Sequence, residues 1–113
     1  MNTEPRNLEP GDGVTICRQF DRITATVVRV SARRRVIWIQ DDSASLDPPD
    51  WKPVFESGGL RGHCVNQLEQ RYHYHRDLFG RVRRASLGKD GVWRTTKGER
   101  VVTGRSKFHD YNL

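Results

Sequence analysis

The chain has 113 residues and a formal net charge of +6, from 20 Lys and Arg against 14 Asp and Glu. That length builds one compact domain rather than two, and a composition of 35% hydrophobic and 30% charged residues predicts a modest core under a large polar surface. No run of about 18 apolar residues occurs, which excludes a membrane-spanning helix. The first residues carry Glu4, Glu9 and Asp12 and no apolar stretch, so no secretory signal is expected.

Residues 1–12 contain Pro5, Pro10 and Gly11 and read as a flexible leader. A single all-β domain is expected over 13–113. Val14 and Ile16 alternate with Thr15 and Cys17, a turn follows at Phe20–Arg22, and Ile23–Val30 is dense in the β-branched residues that suit a pleated surface. Ser31–Arg35 is a polar break before a third run, Val36–Asp41. Short apolar runs joined by short polar breaks predict an antiparallel meander.

Residues 42–63 interrupt it with Pro48, Pro49 and Pro53, which exclude a regular helix and a central strand. They are expected to form one long loop, with Trp51 either pinning it to the body or presenting a ring to a partner. Asn66–Arg76 predicts a strand with Leu68, Tyr72 and Tyr74 on one face and Arg71, His73 and His75 on the other; a helix over Val65–Tyr72 is the rival. Asp77–Gly80 is a turn. Arg81–Leu87 is a strand whose alternation breaks at Arg83–Arg84, predicting a β-bulge. Asp90-Gly91 signals a hairpin before Val92–Trp93, and Val101–Thr103 is the last strand before a polar tail.

Six or seven short antiparallel strands predict an all-β fold, a small SH3-like barrel or a partly open sandwich with one long Pro-rich loop. The stretch GDGVTICRQFDRITATVVRVSARRRVIWIQDD resembles the opening strands of SH3-like barrels. In Arg76–Leu113, the series Gly80, Ser86-Leu87, Lys89-Asp90-Gly91, Trp93, Gly98, Gly104-Arg105 and Asp110 resembles the C-terminal half of small, mostly uncharacterised bacteriophage proteins. That resemblance implies a phage accessory protein working in the host bacterial cytoplasm, and implies no catalytic residue.

Charge is uneven along the chain. Residues 1–56 are close to neutral and residues 57–113 carry the excess, with Arg outnumbering Lys four to one overall. Arg pairs bidentately with phosphate and carboxylate, although GC-rich coding sequence gives the same bias. The candidate anion-binding set is Arg76, Arg81, Arg83, Arg84, Lys89, Arg94 and Arg105, interleaved with Tyr74 and Trp93 as rings that either stack on bases or belong to the core. Trp51 and Arg61 are the candidate partner-loop residues, Arg61 lying in Ser57–Gly62, a glycine-rich hinge that lacks a P-loop ending. His73 and His75 have no evident third ligand, so no metal or cofactor is expected. Cys17 and Cys64 are expected as reduced thiols of a cytosolic protein. No nucleophile motif occurs, and the chain reads as a binding protein rather than an enzyme. The expected partner is nucleic acid, DNA or RNA; the alternatives are an acidic host protein inhibited by this chain, or a small nucleotide signal that it sequesters. No membrane contact is expected, and the chain is read as a monomer or homodimer.

Overall fold

The computed structural model describes residues 7–58 and 61–109, with 57, 58 and 61–63 as backbone only. In chain order the strands are β1 (Gly13–Cys17), β2 (Asp21–Val30), β3 (Val36–Asp41), β4 (Ser43–Leu46), β5 (Phe55–Gly58), β6 (Arg61–Cys64), β7 (Tyr72–His75), β8 (Val82–Leu87), β9 (Trp93–Thr95), β10 (Arg100–Thr103) and β11 (Phe108–His109). Six of them run β1-β10-β9-β8-β3-β2, and β2 pairs back onto β1, closing an antiparallel barrel with β11 added beside β2. The expected small all-β barrel is therefore the fold. Closure removes the sheet edges that a flat sheet of this size leaves open.

Alternation explains the interior. Val14 and Ile16 of β1, Ala25 and Val27 of β2, Ile37 and Ile39 of β3, Ala85 and Leu87 of β8, Trp93 of β9 and Val101 of β10 form one buried cluster. Leu8 joins them at the entrance, although the sequence placed it in the leader. Residues 7–12 pack onto the barrel: Gly11 N donates to Val27 O, Arg34 donates to Leu8 O, and Arg34 pairs with Glu9. Residues 1–6 lie outside the described residues.

Four local expectations are corrected. β3 and β8 pair without a break from Val36↔Ser86 to Gln40↔Val82, so β8 carries no bulge; the register shift falls in β2 between Val27 and Arg29. The first turn occupies Arg18–Phe20, with Asp21 already in β2. Residues 42–63 are not one loop, because β4 pairs with β7 and β5 with β6 in two ribbons inserted between β3 and β8. Within the predicted strand 66–76, only Tyr72–His75 is extended. Gln67–Glu69 is a single 3-10 turn, and Leu68 is exposed rather than sharing a face with Tyr72 and Tyr74.

After β10 the chain runs back across the outer face of β1 and β2. Thr15 Oγ1 donates to Gly104 O at 2.6 Å and accepts from Ser106 N, while Arg105 reaches Thr26 and Asp42. These contacts explain why Thr15 and Thr26, which point away from the core, are buried.

Candidate functional site

The cations of the second half do not act as one hairpin. Arg83 points into the barrel end, where its guanidinium meets both oxygens of Asp41 at 2.8 and 3.0 Å and its side chain is 12% exposed. The hydrogen bond to Asp41, more than the opposing burial, raises its pKa above the ordinary value. Arg105 is tied to the buried Asp42, and Arg94 grips the exposed Asp90, whose carboxyl is held below its usual range chiefly by that hydrogen bond. Arg76, Arg81, Arg84 and Lys89 are exposed and form no ion pair among the described residues. Arg83 and Arg105 thus leave the candidate set, because each is already neutralised within the fold.

The expected rings are also committed elsewhere. Trp93 is 3% exposed in the core, so its ring offers no face to a partner. Tyr74 is half-buried, packs beside Tyr72 and accepts a hydrogen bond from Lys107 N. On the insertion, Trp51 is half-buried in the turn after β4; Arg61 lies on β6, its side chain outside the described residues. His73 pairs with Asp47 and His75 lies 3.5 Å from Ser45.

A different ring takes their place. Val36, Trp38 and Gln40 alternate outward along β3, and Val82, Arg84 and Ser86 along β8. The registers set Arg29 of β2 opposite Trp38, and Trp38 opposite Arg84. The three make one row across three strands, with neighbouring positions about 5 Å apart. The Arg29 guanidinium sits over the Trp38 ring, 4.6 Å from its centroid, a cation–π stack that presents a planar cation outward. In the next row Val36, Ser86, Arg94 and Arg100 face one another in turn. Arg29 and Trp38 were missed in the sequence because they lie in the near-neutral half, and Arg100, although within the dense cations after residue 76, was not singled out because only the strand register places it beside Arg94.

Beside this row lies a cleft of about 120 Å³ lined by Arg81, Val82, Arg83, Arg84, Thr95, Thr96, Lys97 and Glu99. Arg81, Arg84, Lys97 and two threonines face a single carboxylate, Arg83 being held by Asp41, and Glu99 is itself engaged by the Thr95 hydroxyl at 3.1 Å. A phosphate group fits such a volume, whereas a nucleotide-sized ligand needs roughly 300 Å³ or more. Larger hollows of about 380 and 270 Å³ flank the β1–β2 turn. They share the Arg18–Asp21 ion pair, in which Arg18's hydrogen bond lowers the Asp21 pKa and raises its own. With Arg18 already paired to Asp21, these hollows lack the concentrated positive charge of the cleft beside β8.

No protein-family model, curated protein or solved structure matches this chain.

Proposed function

We propose that the chain is a binding protein whose outer barrel face, across β2, β3, β8, β9 and β10, holds nucleic acid. The observation that carries this reading is the in-register row Arg29–Trp38–Arg84, with Arg29 stacked on the tryptophan. Stacked rings and guanidinium planes take bases, and exposed arginines beside them take phosphates. Arg100 extends the cationic face beyond the Arg94–Asp90 pair, and the cleft beside Arg84 supplies a pocket of phosphate size. The same size counts against sequestration of a free nucleotide.

Fluorescence anisotropy with short labelled DNA and RNA tests the proposal. Affinity is expected to fall by orders of magnitude between about 50 and 200 mM salt. The Arg29→Ala/Arg84→Ala double variant is expected to reduce the salt slope by about 2. Absence of binding at low salt, or an unchanged slope in the double variant, overturns it.

A further inference from the structure

The turn between β7 and β8 displays its apolar residues in water. Leu78 is 70% and Phe79 99% exposed, and Val82 beside them is half exposed. Burying a phenylalanine stabilises a fold by about 1.5–3 kcal/mol, and this one contributes nothing of that kind.

Its backbone is nevertheless clamped. Phe79 N donates to Asp77 Oδ1 at 2.9 Å and Gly80 N to Asp77 O at 3.0 Å. From β3, the Gln40 amide donates to both Leu78 O and Gly80 O, at 3.0 and 3.1 Å. Gly80 lies so close to β3 that a Cβ there would collide with the Asp41 carbonyl oxygen. The backbone that carries the ring is thus held in place before any partner arrives, which lowers the ordering cost of binding.

Gln40, the anchor of this turn, is the next outward position on β3 after Trp38, about 6.6 Å along the strand. Phe79 therefore stands at the end of the same face as the Arg29–Trp38 stack. Arg84 faces Trp38, Val82 faces Gln40, and Arg81 begins the return into β8. Asp77, the carboxylate of the turn itself, is turned inward onto Phe79 N. Ring, cation and ring succeed one another on one surface.

We infer that this face binds single-stranded nucleic acid, with Phe79 as a second stacking platform beyond the Arg29–Trp38 pair. The inference rests on the nucleic-acid reading above and adds the strandedness. A duplex keeps its bases paired and stacked and offers a projecting ring only phosphate and groove edges. A single strand offers base faces as well as phosphates. The cations around the ring favour this partner over an apolar protein pocket.

The test measures anisotropy of three labelled probes of about 15 nucleotides at about 100 mM salt: a pyrimidine single strand, an abasic strand of the same length, and a duplex. The intact chain is compared with Phe79→Ala and Arg84→Ala, and circular dichroism melting confirms that each variant folds. The single strand is expected to bind at least about tenfold tighter than the duplex. Phe79→Ala is expected to weaken single-strand binding by about tenfold and to leave the abasic strand and the duplex unchanged. Arg84→Ala is expected to weaken all three.

Equal binding of strand and duplex, both reduced by Arg84→Ala, overturns the inference while the nucleic-acid reading stands. Unchanged single-strand affinity in Phe79→Ala, or an equal loss on the abasic strand, overturns the role of Phe79. No binding to any probe, at about 100 mM salt or below, overturns both readings.

Discussion

Asp42 has a side chain 1% exposed, and its carboxylate is bonded on both oxygens, Arg105 Nε donating to one at 2.9 Å and Thr26 Oγ1 to the other at 2.7 Å. Removing one partner of a buried pair leaves the other charge uncompensated, so Arg105→Ala is expected to cost about 3 kcal/mol, read as a lower midpoint in urea denaturation. Because that guanidinium is already neutralised, the variant is expected to keep the wild-type salt slope in nucleic-acid binding at temperatures where it is folded. A reduced slope would return Arg105 to the interface. Asp21 gives the pH dependence at the same scale. Arg18's hydrogen bond lowers its pKa below 3.8, so the folded value lies under the unfolded one. Its contribution is therefore present above that pH and lost as acidification passes through the folded value. The pair is partly exposed, which limits the effect at neutral pH to under about 1 kcal/mol. Asp21→Asn is expected to lower the urea midpoint slightly at pH 7 and to converge with wild type in strong acid; a constant offset at every pH would assign the loss to packing instead.

Whether an element was legible depended on whether its residues faced the core. β1, β2 and β3 could be read because Val14/Ile16, Ala25/Val27 and Ile37/Ile39 alternate cleanly, and Asp90-Gly91 announced the β8–β9 hairpin. The bulge in β2 was hidden, since Val27 and Val28 are both apolar and the extra residue leaves no gap in the pattern. In β8 the break at Arg83 looked like a bulge, but it is an inward arginine made tolerable by Asp41, a partner 42 residues away. Trp38 was masked, since the run Val36–Ile39 is apolar throughout and carries no mark of which side chains face outward. β4 and β5 left no trace because short ribbon strands have no buried face to select apolar residues. Gly80 belongs to this scale too, since it fixes how the β7–β8 turn meets β3. Its added methyl would meet backbone rather than a movable side chain, so Gly80→Ala is expected to cost about 2 kcal/mol and to lower Tm by roughly 8–15 °C. A melting curve that overlays wild type would show that the turn is not pressed against β3.

At the scale of the molecule, the charge asymmetry along the sequence does not become a division in space. The barrel interleaves β1, β2 and β3 with β8, β9 and β10, so Arg29 from the neutral half joins Arg84, Arg94 and Arg100 on one face. The elongation has a separate origin. The radius of gyration is 16.1 Å and the long axis 53 Å, against about 13 Å for a compact domain of this length, and the chain departs from a bare barrel in the two ribbons inserted between β3 and β8. The C-terminal segment ties that insertion to the barrel from both sides: Gly104, Arg105 and Ser106 bond to β1, β2 and Asp42, Lys107 N donates to Tyr74, and His109 exchanges two hydrogen bonds with Gln70. None of the core cluster comes from this segment, so its loss leaves the barrel interior intact while removing those links to the insertion. A chain ending at Gly104 is expected to lose hydrogen-exchange protection in every strand through the missing Arg105 and to lose at least about tenfold more of it in β4 and β7 than in β2, β3 and β8, with a larger radius of gyration in small-angle scattering. Unchanged protection in β4 and β7 would mean that the ribbon holds its place through its own junction with β3. Uniform loss across all strands would mean instead that Asp42, stripped of Arg105, unfolds the barrel as a whole.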